Sequence, residues 1–405
     1  MSETAPTTTA RPGSLRPRGA DDLAILLPGG GARGAYQVGF LRWVSRHIPD
    51  AHFPIVTGVS AGAINAAFLA SYRGTQKAAV DELVELWSNL TAERVFRTDG
   101  PSLGGLVARW GIRLMAGGTR LAPAVQGLVD TSPLRETLAD VFETRNGAIA
   151  GIAENIADGR LWALALLTSH YGTGQSVVWT QGRDLREWER PDRRSRNTAL
   201  TLDHVLASSA LPLFFPAVHL ADGWHGDGGI RLTTPFSPAL HLGANRILAV
   251  STRFGASGTV DDANTRRHPP PMQIAGQLLD AVFLDDLDRD ALELERINRL
   301  LREVAPEKRR GMRPIELLVI RPSVDISRLA AEYEAQLPRA FRHLVRGLGS
   351  REVKSPDLLS LLAFEPAYLT RLMELGESDA ATNAGRIRAL LRSSPRKETR
   401  QAAIT

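Results

Sequence analysis

Short hydrophobic runs alternate along this chain with glycine-rich turns and with stretches of helical spacing. The run Leu23–Leu27 is entirely apolar and ends at Pro28 and three glycines, a pattern typical of a buried parallel strand that enters a tight loop. Residues 35–48 have the spacing of a helix. Residues 55–59 and 61–72 repeat the strand and helix pair. Two successive β-loop-α units predict a parallel sheet covered by helices.

The alternation continues through most of the chain. It predicts helices at residues 81–90, 132–142 and 201–209 and within 272–301, and strands at 161–169, 176–180, 218–220, 246–251 and 316–320. Helices follow to about residue 375, and the chain then becomes polar, so we expect it to fray from Glu377 onward. The predicted fold class is α/β, a three-layer α/β/α sandwich with a mostly parallel central sheet and a helical C-terminal part.

The same pattern divides the chain. Residues 1–20 are rich in Thr, Pro, Arg and Gly and lack periodicity, so they predict a disordered arm. Residues 21–322 predict one α/β domain, and residues 323–405 predict a helical C-terminal extension with a polar tail.

The composition of the chain excludes several kinds of functional site. The 405 residues include no cysteine, which excludes disulfides, thiolate metal sites and a cysteine nucleophile. The chain has no apolar run of membrane-spanning length and no signal-peptide core near its start, so we expect a cytoplasmic protein. The formal charge is +5, without a basic run interleaved with aromatics. We therefore expect no nucleic-acid partner, whereas an anionic lipid surface would suit this charge.

The strongest local signal is a G-x-S-x-G motif at Gly58, Ser60 and Gly62, between a predicted strand and a predicted helix. Glycines on both sides of the serine permit a tight turn that exposes its hydroxyl above the sheet, and the next helix directs its N-terminal dipole there. Ser60 is therefore the candidate nucleophile.

A glycine-rich loop at Gly29–Gly34 opens the first helix and matches G-x-G-x-x-G. As a dinucleotide fingerprint it would need an acidic residue at the end of the second strand, where this chain has Ser60 instead. The alternative use is a set of unpaired backbone N–H groups that bind a negative oxygen formed during ester cleavage. Arg33 would add charge or anchor the loop.

A serine nucleophile needs a base. Asp227, followed by Gly228 and Gly229 in a tight turn, is the sharper candidate, because two glycines allow close approach to another loop. The chain also has nine histidines, and none lies in a motif that marks it as a catalytic partner. His225 could orient the Asp227 turn.

In their order, Gly29–Gly34, Gly58–Gly62 and Asp227–Gly229 resemble the three motifs of the patatin-like phospholipase family, in its bacterial type. The likeness extends from about Leu23 to Pro322. One departure is Pro28, where family members often have an acidic residue.

This resemblance implies a Ser–Asp dyad of Ser60 and Asp227, without histidine. It implies an oxyanion hole from the N–H groups of Gly30, Gly31 and Ala32, with Arg33 as possible support for the loop. The motif glycines that it identifies are Gly29, Gly34, Gly58, Gly62, Gly228 and Gly229. It further implies no metal and no cofactor, and a phospholipid or other acyl-ester lipid as the substrate.

Two further segments bear on lipid contact. Residues 103–117 combine large apolar residues with arginines and predict either an interfacial lid or a helix packed on the core. Residues 211–216 predict either the wall of an acyl-chain pocket or plain core.

Two rival functions stay open at this point. One is an α/β-hydrolase esterase with a Ser–Asp–His triad, in which His241 or His343 would complete the set, although its glycine loop should lie further from the serine. The other is a lipid-binding protein without catalysis. A nucleotide-binding module lacks its ribose acid. Composition and motifs do not predict the oligomeric state.

Overall fold

The structure is a computed structural model that describes residues 22–98, 127–255, 285–347 and 357–392, with isolated positions at 105, 115, 268, 270, 273–274 and 276–278. The predicted N-terminal arm lies outside the described residues.

A mixed sheet forms the middle of the molecule. Its strands run in the order β11-β10-β1-β2-β5-β6-β7, and β9 pairs with both β5 and β8. The five strands from β11 to β5 are parallel to their neighbours, whereas β6 and β9 run antiparallel to β5. The strands are β1 (Leu23–Leu27), β2 (Ile55–Gly58), β3 (Thr144–Arg145), β4 (Ala148–Ile149), β5 (Ala163–His170), β6 (Ser176–Gly182), β7 (Arg193–Asn197), β8 (Val218–Leu220), β9 (Gly223–Asp227), β10 (Arg246–Val250) and β11 (Glu316–Ile320).

The helices are α1 (Gly34–His47), α2 (Ala61–Ser71), α3 (Gln76–Ser88), α4 (Ala92–Val95), α5 (Ser132–Val141), α6 (Ala150–Ala157), α7 (Leu202–Ser208), α8 (Ser237–His241), α9 (Asp285–Glu303), α10 (Ile326–Tyr333), α11 (Arg339–Gly347), α12 (Asp357–Leu362), α13 (Pro366–Thr382) and α14 (Ala384–Arg392).

Alternate residues of the central strands enter two separate cores, one on each face of the sheet. In β1, Ile25 packs with α1, α2 and the C-terminal helices, while Leu26 packs with α8 and α9. Period-two alternation places successive side chains on opposite faces, and strands buried on both faces need to be apolar throughout. The fold is therefore the predicted three-layer α/β/α sandwich with a mostly parallel sheet.

Most predicted strands and helices are present with ends shifted by a few residues. The strand β7 is the clear omission, because its sequence Arg-Arg-Ser-Arg-Asn carries no hydrophobic alternation. It lies at the sheet edge beside β6, where charged side chains can face solvent and discourage further pairing. The helix predicted from residue 81 begins instead at Gln76, where the Thr75 hydroxyl accepts a hydrogen bond from the Ala78 N–H as an N-cap.

The expectation that the chain frays from Glu377 is wrong. Helix α13 continues to Thr382 and α14 reaches Arg392. These polar stretches remain helical because Asp379, Ile387 and Leu390 are buried, and tertiary packing outweighs average polarity.

The helices after residue 323 share the core of the preceding α/β unit. The Tyr36 hydroxyl on α1 donates a buried hydrogen bond of 3.0 Å to Asp379 on α13, and burial beside this carboxyl raises the pKa of Tyr36. Leu359 and Leu369 lie in the same hydrophobic cluster as Ile25. The boundary at residue 322 stays a prediction.

Candidate active site

Ser60 lies at the turn between β2 and α2. Its φ of 57° and ψ of −133° place a non-glycine residue in a strained conformation, as expected of an exposed nucleophile turn. The flanking glycines have a steric reason, since a Cβ at Gly62 would lie 2.0 Å from the carbonyl oxygen of Leu27. The turn therefore packs directly against the end of β1.

Two serines at the C-terminal end of α7 hold the Ser60 backbone in this turn. The Ser60 N–H donates to the Ser208 hydroxyl at 3.1 Å, and the Ser209 hydroxyl donates to the Ser60 carbonyl at 2.9 Å. The next residue, Ala210, accepts a hydrogen bond from the Asp227 N–H at 3.0 Å. One short segment thus fixes both Ser60 and Asp227.

Asp227 ends β9 and is completely buried. Its Oδ1 accepts a hydrogen bond from the Gly229 N–H at 2.8 Å, and its Oδ2 has no regular hydrogen-bond partner among the described residues. Burial raises the pKa of Asp227 to about 7, while the nearby Ser60 hydroxyl and the Gly229 N–H oppose the rise. The Ser60 hydroxyl is therefore close enough to Asp227 to lower its pKa, although the two side chains do not form a regular hydrogen bond.

The glycine loop between β1 and α1 has its carbonyl groups held from behind. The Pro28 carbonyl accepts from the Gln37 side chain at 2.7 Å, and the Gly29 carbonyl accepts from the Thr252 hydroxyl at 2.6 Å. The N–H groups of Gly30, Gly31 and Ala32 donate to no atom in the described part of the chain. They are available for an anionic oxygen near Ser60.

Arg33 points away from this opening into the protein and is 3% exposed. Its guanidinium group donates to the hydroxyls of Ser360 and Ser327 at 2.7 and 2.8 Å and forms an ion pair of 3.2 Å with Asp357. The C-terminal helices α10 and α12 therefore bind the glycine loop through this side chain.

An apolar cleft opens at Ser60. Gly30 and Gly31 of the glycine loop line the cleft, and hydrophobic side chains from five separate regions of the chain form its walls. They are Ile64, Trp87, Leu90, Val95, Leu134, Leu211, Phe215, Leu361, Leu362 and Phe364. From the predicted pocket segment 211–216, Leu211 and Phe215 line the cleft, whereas Leu213 is 73% exposed.

A family model described as patatin-like phospholipase matches residues 25–240, more than half of the chain. The chain belongs to the patatin-like phospholipase family. This result confirms the family resemblance of the three motifs. The match ends before β10, so the remaining strands and the C-terminal helices lie outside it.

Two solved structures are similar to this patatin-like chain at low sequence identity. Human GIVD cytosolic phospholipase A2 in complex with methyl gamma-linolenyl fluorophosphonate is 13% identical with a TM-score of 0.45, and the match covers 92% of this chain and 59% of that one. VipD from Legionella pneumophila is 13% identical with a TM-score of 0.29, covering 91% and 75%. The chain thus spans 59% of the length of the phospholipase A2 structure. No curated protein matches the chain.

In this patatin-like site, sequence reasoning missed the supporting polar residues. Ser208 and Ser209 lie just before the segment 211–216, for which the sequence predicts only a pocket wall or plain core. Thr252, Ser327 and Ser360 stand in no motif.

A polar network lies behind Asp227. His225 bonds through Nε2 to Asp222 at 2.8 Å and through Nδ1 to the Thr168 hydroxyl at 2.9 Å, and that hydroxyl accepts from Trp179. Burial lowers the pKa of His225. The role of His225 in orienting the Asp227 turn stays a prediction.

His170 lies beside this network, and its ring together with Asp222 and His225 forms a group whose atoms are close enough to surround a metal ion. The Thr173 N–H donates to His170 Nδ1, which leaves Nε2 to donate to the Asp222 carbonyl. Since protein groups already occupy both nitrogens of each imidazole, the arrangement fits a hydrogen-bond network better than a metal centre.

The two histidines of the triad alternative lie elsewhere. The His241 ring stacks on Trp188 with 4.3 Å between ring centres, and burial lowers its pKa to about 4. His343 is exposed on α11. Neither side chain lines the described cleft at Ser60.

None of the described helices has the length and hydrophobicity needed to cross a bilayer. The segment 103–117, for which the sequence suggests a lid, lies outside the described residues apart from positions 105 and 115.

Proposed function

We propose that this protein hydrolyses fatty acyl esters of lipids, with Ser60 as nucleophile and Asp227 as its base. The observation that carries the proposal is a buried carboxyl group with one unpartnered oxygen beside a strained serine, at the mouth of an apolar cleft. Family membership supports the substrate class.

In the proposed first step, the Asp227 carboxylate takes the Ser60 proton while the serine oxygen attacks the acyl carbonyl carbon. The carbonyl oxygen becomes negative, and the N–H groups of Gly30, Gly31 and Ala32 stabilise it together with the α2 N-terminus. Collapse of this intermediate breaks the ester bond, and Asp227 returns the proton to the leaving alcohol. The product left on the enzyme is a Ser60 acyl ester.

Water completes the cycle. Asp227 takes a proton from a water molecule that attacks the acyl-enzyme, and the same N–H groups stabilise the second oxyanion. The proton returns to Ser60 as the fatty acid leaves. The proposed reaction uses neither a metal ion nor a cofactor.

The apolar walls of the cleft suit a fatty acyl chain, which gains about 0.8 kcal/mol for each methylene removed from water. We propose phospholipids as the leading substrates, with lysophospholipids, neutral glycerides and small esters as alternatives. A phospholipid substrate implies peripheral contact with a membrane surface, which the charge of +5 would favour if the lipids are anionic.

The decisive test measures fatty-acid release from mixed phospholipid vesicles and hydrolysis of a decanoyl chromogenic ester. We expect Ser60→Ala and Asp227→Asn each to lose about 10³-fold or more in kcat, because each removes a member of the reacting pair. The His241→Ala and His343→Ala variants should keep turnover. An indispensable His241 or His343 would favour the triad esterase, and lipid retention without turnover by the wild type would favour the lipid-binding function.

A further inference from the structure

Arg33 shares a hydrogen-bond network with Ser327, Asp357 and Ser360. The Ser327 hydroxyl accepts from the Arg33 Nη2 group and donates to Asp357 Oδ1, and the Ser360 hydroxyl accepts from Arg33 Nε at 2.7 Å and donates to the Asp357 carbonyl at 2.7 Å. Both serines therefore use one oxygen to join the cation to Asp357. We call these four residues the Arg33 network.

Three of the four residues in the network are buried, and the side chain of Asp357 is 25% exposed. Arg33, Ser327 and Ser360 are exposed by 3%, 4% and 0% respectively. A guanidinium group in this position requires its partners, because an uncompensated buried charge is strongly unfavourable. Its donors are directed to the protein interior, so Arg33 is poorly placed to bind a substrate head group.

A second contact joins the same helix to the same loop. Gly31 has a φ of 54°, and a Cβ at this position would lie 2.1 Å from the Leu361 carbonyl oxygen of α12. The backbone of α12 therefore rests on the loop at Gly31 while Ser360 holds the side chain of Arg33, two residues further on. With both contacts in place the N–H groups of Gly30–Ala32 have little freedom to turn.

From these contacts we infer that Ser327, Asp357 and Ser360 are positioning residues for catalysis, which act through Arg33 to hold the oxyanion loop in place. The inference rests on the proposed function, because it assigns a role within that reaction. Misplacement of oxyanion donors by a fraction of an ångström lowers kcat, since these donors act on charge that develops only in the transition state.

The test uses Ser360→Ala and the double variant Ser327→Ala/Ser360→Ala of the full chain. A decyl fluorophosphonate titrates the competent Ser60 sites, and kcat per titrated site and KM are then measured on the decanoyl ester. The matched control is Ser45→Ala, which removes a hydroxyl that is similarly buried and whose one hydrogen bond among the described residues goes to the Arg42 carbonyl.

We expect kcat per titrated site to fall about tenfold in Ser360→Ala and about a hundredfold in the double variant, with little change in KM. Ser45→Ala should keep the wild-type value. In the pair Asp357→Ala and Asp357→Asn, the asparagine variant should keep more of kcat than the alanine variant, because it retains a side-chain oxygen that can accept from Ser327 although it no longer compensates the Arg33 charge.

Three outcomes would count against the inference. Variants with fewer titrated sites but wild-type kcat per site would show that the network only stabilises the fold. A change confined to KM would indicate substrate contact instead. Wild-type protein that neither turns over ester nor reacts with the fluorophosphonate would overturn the proposed function, and the inference with it.

Discussion

Two regions of the chain meet at the cleft beside Ser60 and differ in what their sequences reveal. The motif region, residues 28–62, contains both glycine motifs, and its loop and nucleophile turn lie next to each other because β1 and β2 are adjacent. The α12 region, residues 357–364, contains no motif. Yet it touches Gly31, binds Arg33 and lines the cleft through Leu361, Leu362 and Phe364.

This difference distinguishes the residues proposed to react from the residues that hold them in place. Residues that react need particular side chains at fixed local spacing, so they leave a pattern. Residues that support need only suitable shape and a hydrogen-bonding atom, and here they lie as far as 327 positions along the chain from the loop that they hold. Motifs can therefore indicate a candidate site while the residues that support it go unrecognised in the sequence.

The largest expected effect comes from separating the two regions sterically. In Gly31→Ala the new methyl group would meet the Leu361 carbonyl and force a residue with a Cβ to keep a positive φ. The loop must shift, so we expect kcat per titrated site to fall about 10²- to 10³-fold. Gly385→Ala on α14, where a Cβ would meet open space, is the control. Wild-type turnover by Gly31→Ala would show that α12 does not constrain the loop.

The second-largest expected effect concerns Asp227, the proposed base for Ser60 in the motif region. Asp227 can accept a proton only as a carboxylate, and burial raises its pKa to about 7. We therefore expect kcat/KM to decrease about tenfold per pH unit below about pH 7 and to level off above it. Steady-state rates on a soluble ester across this range provide the measurement. A flat profile from about pH 5 to 8 would contradict the assignment of Asp227 as the base.

A smaller effect tests the acyl-chain wall that the α12 region provides. Leu362→Ala should lower kcat/KM for the decanoyl ester about threefold to tenfold relative to the acetyl ester, because the longer chain loses apolar contact. Leu390→Ala removes an equally buried leucine that does not line the cleft, and it should leave this ratio unchanged. Equal changes in both variants would mean that the effect comes from lost stability.

The sequence by itself determined the α/β class, most of the strands and the family. Buried parallel strands must be apolar, and few residues other than glycine fit the tight turns that follow them. Both signals can therefore be recognised within a short stretch of sequence. It also indicated Ser60, Asp227 and the glycine loop as candidates, and their roles are still proposals.

Only the tertiary structure decided which distant residues support that loop. The charged strand β7 is held by its neighbour at the sheet edge, and α13 and α14 stay helical because the core buries one face of each. Ser327, Asp357 and Ser360 become relevant only because α10 and α12 fold back onto α1 and its loop. The sequence around a serine on a helix does not indicate its hydrogen-bonding partner, because packing between segments far apart in the chain determines that partner.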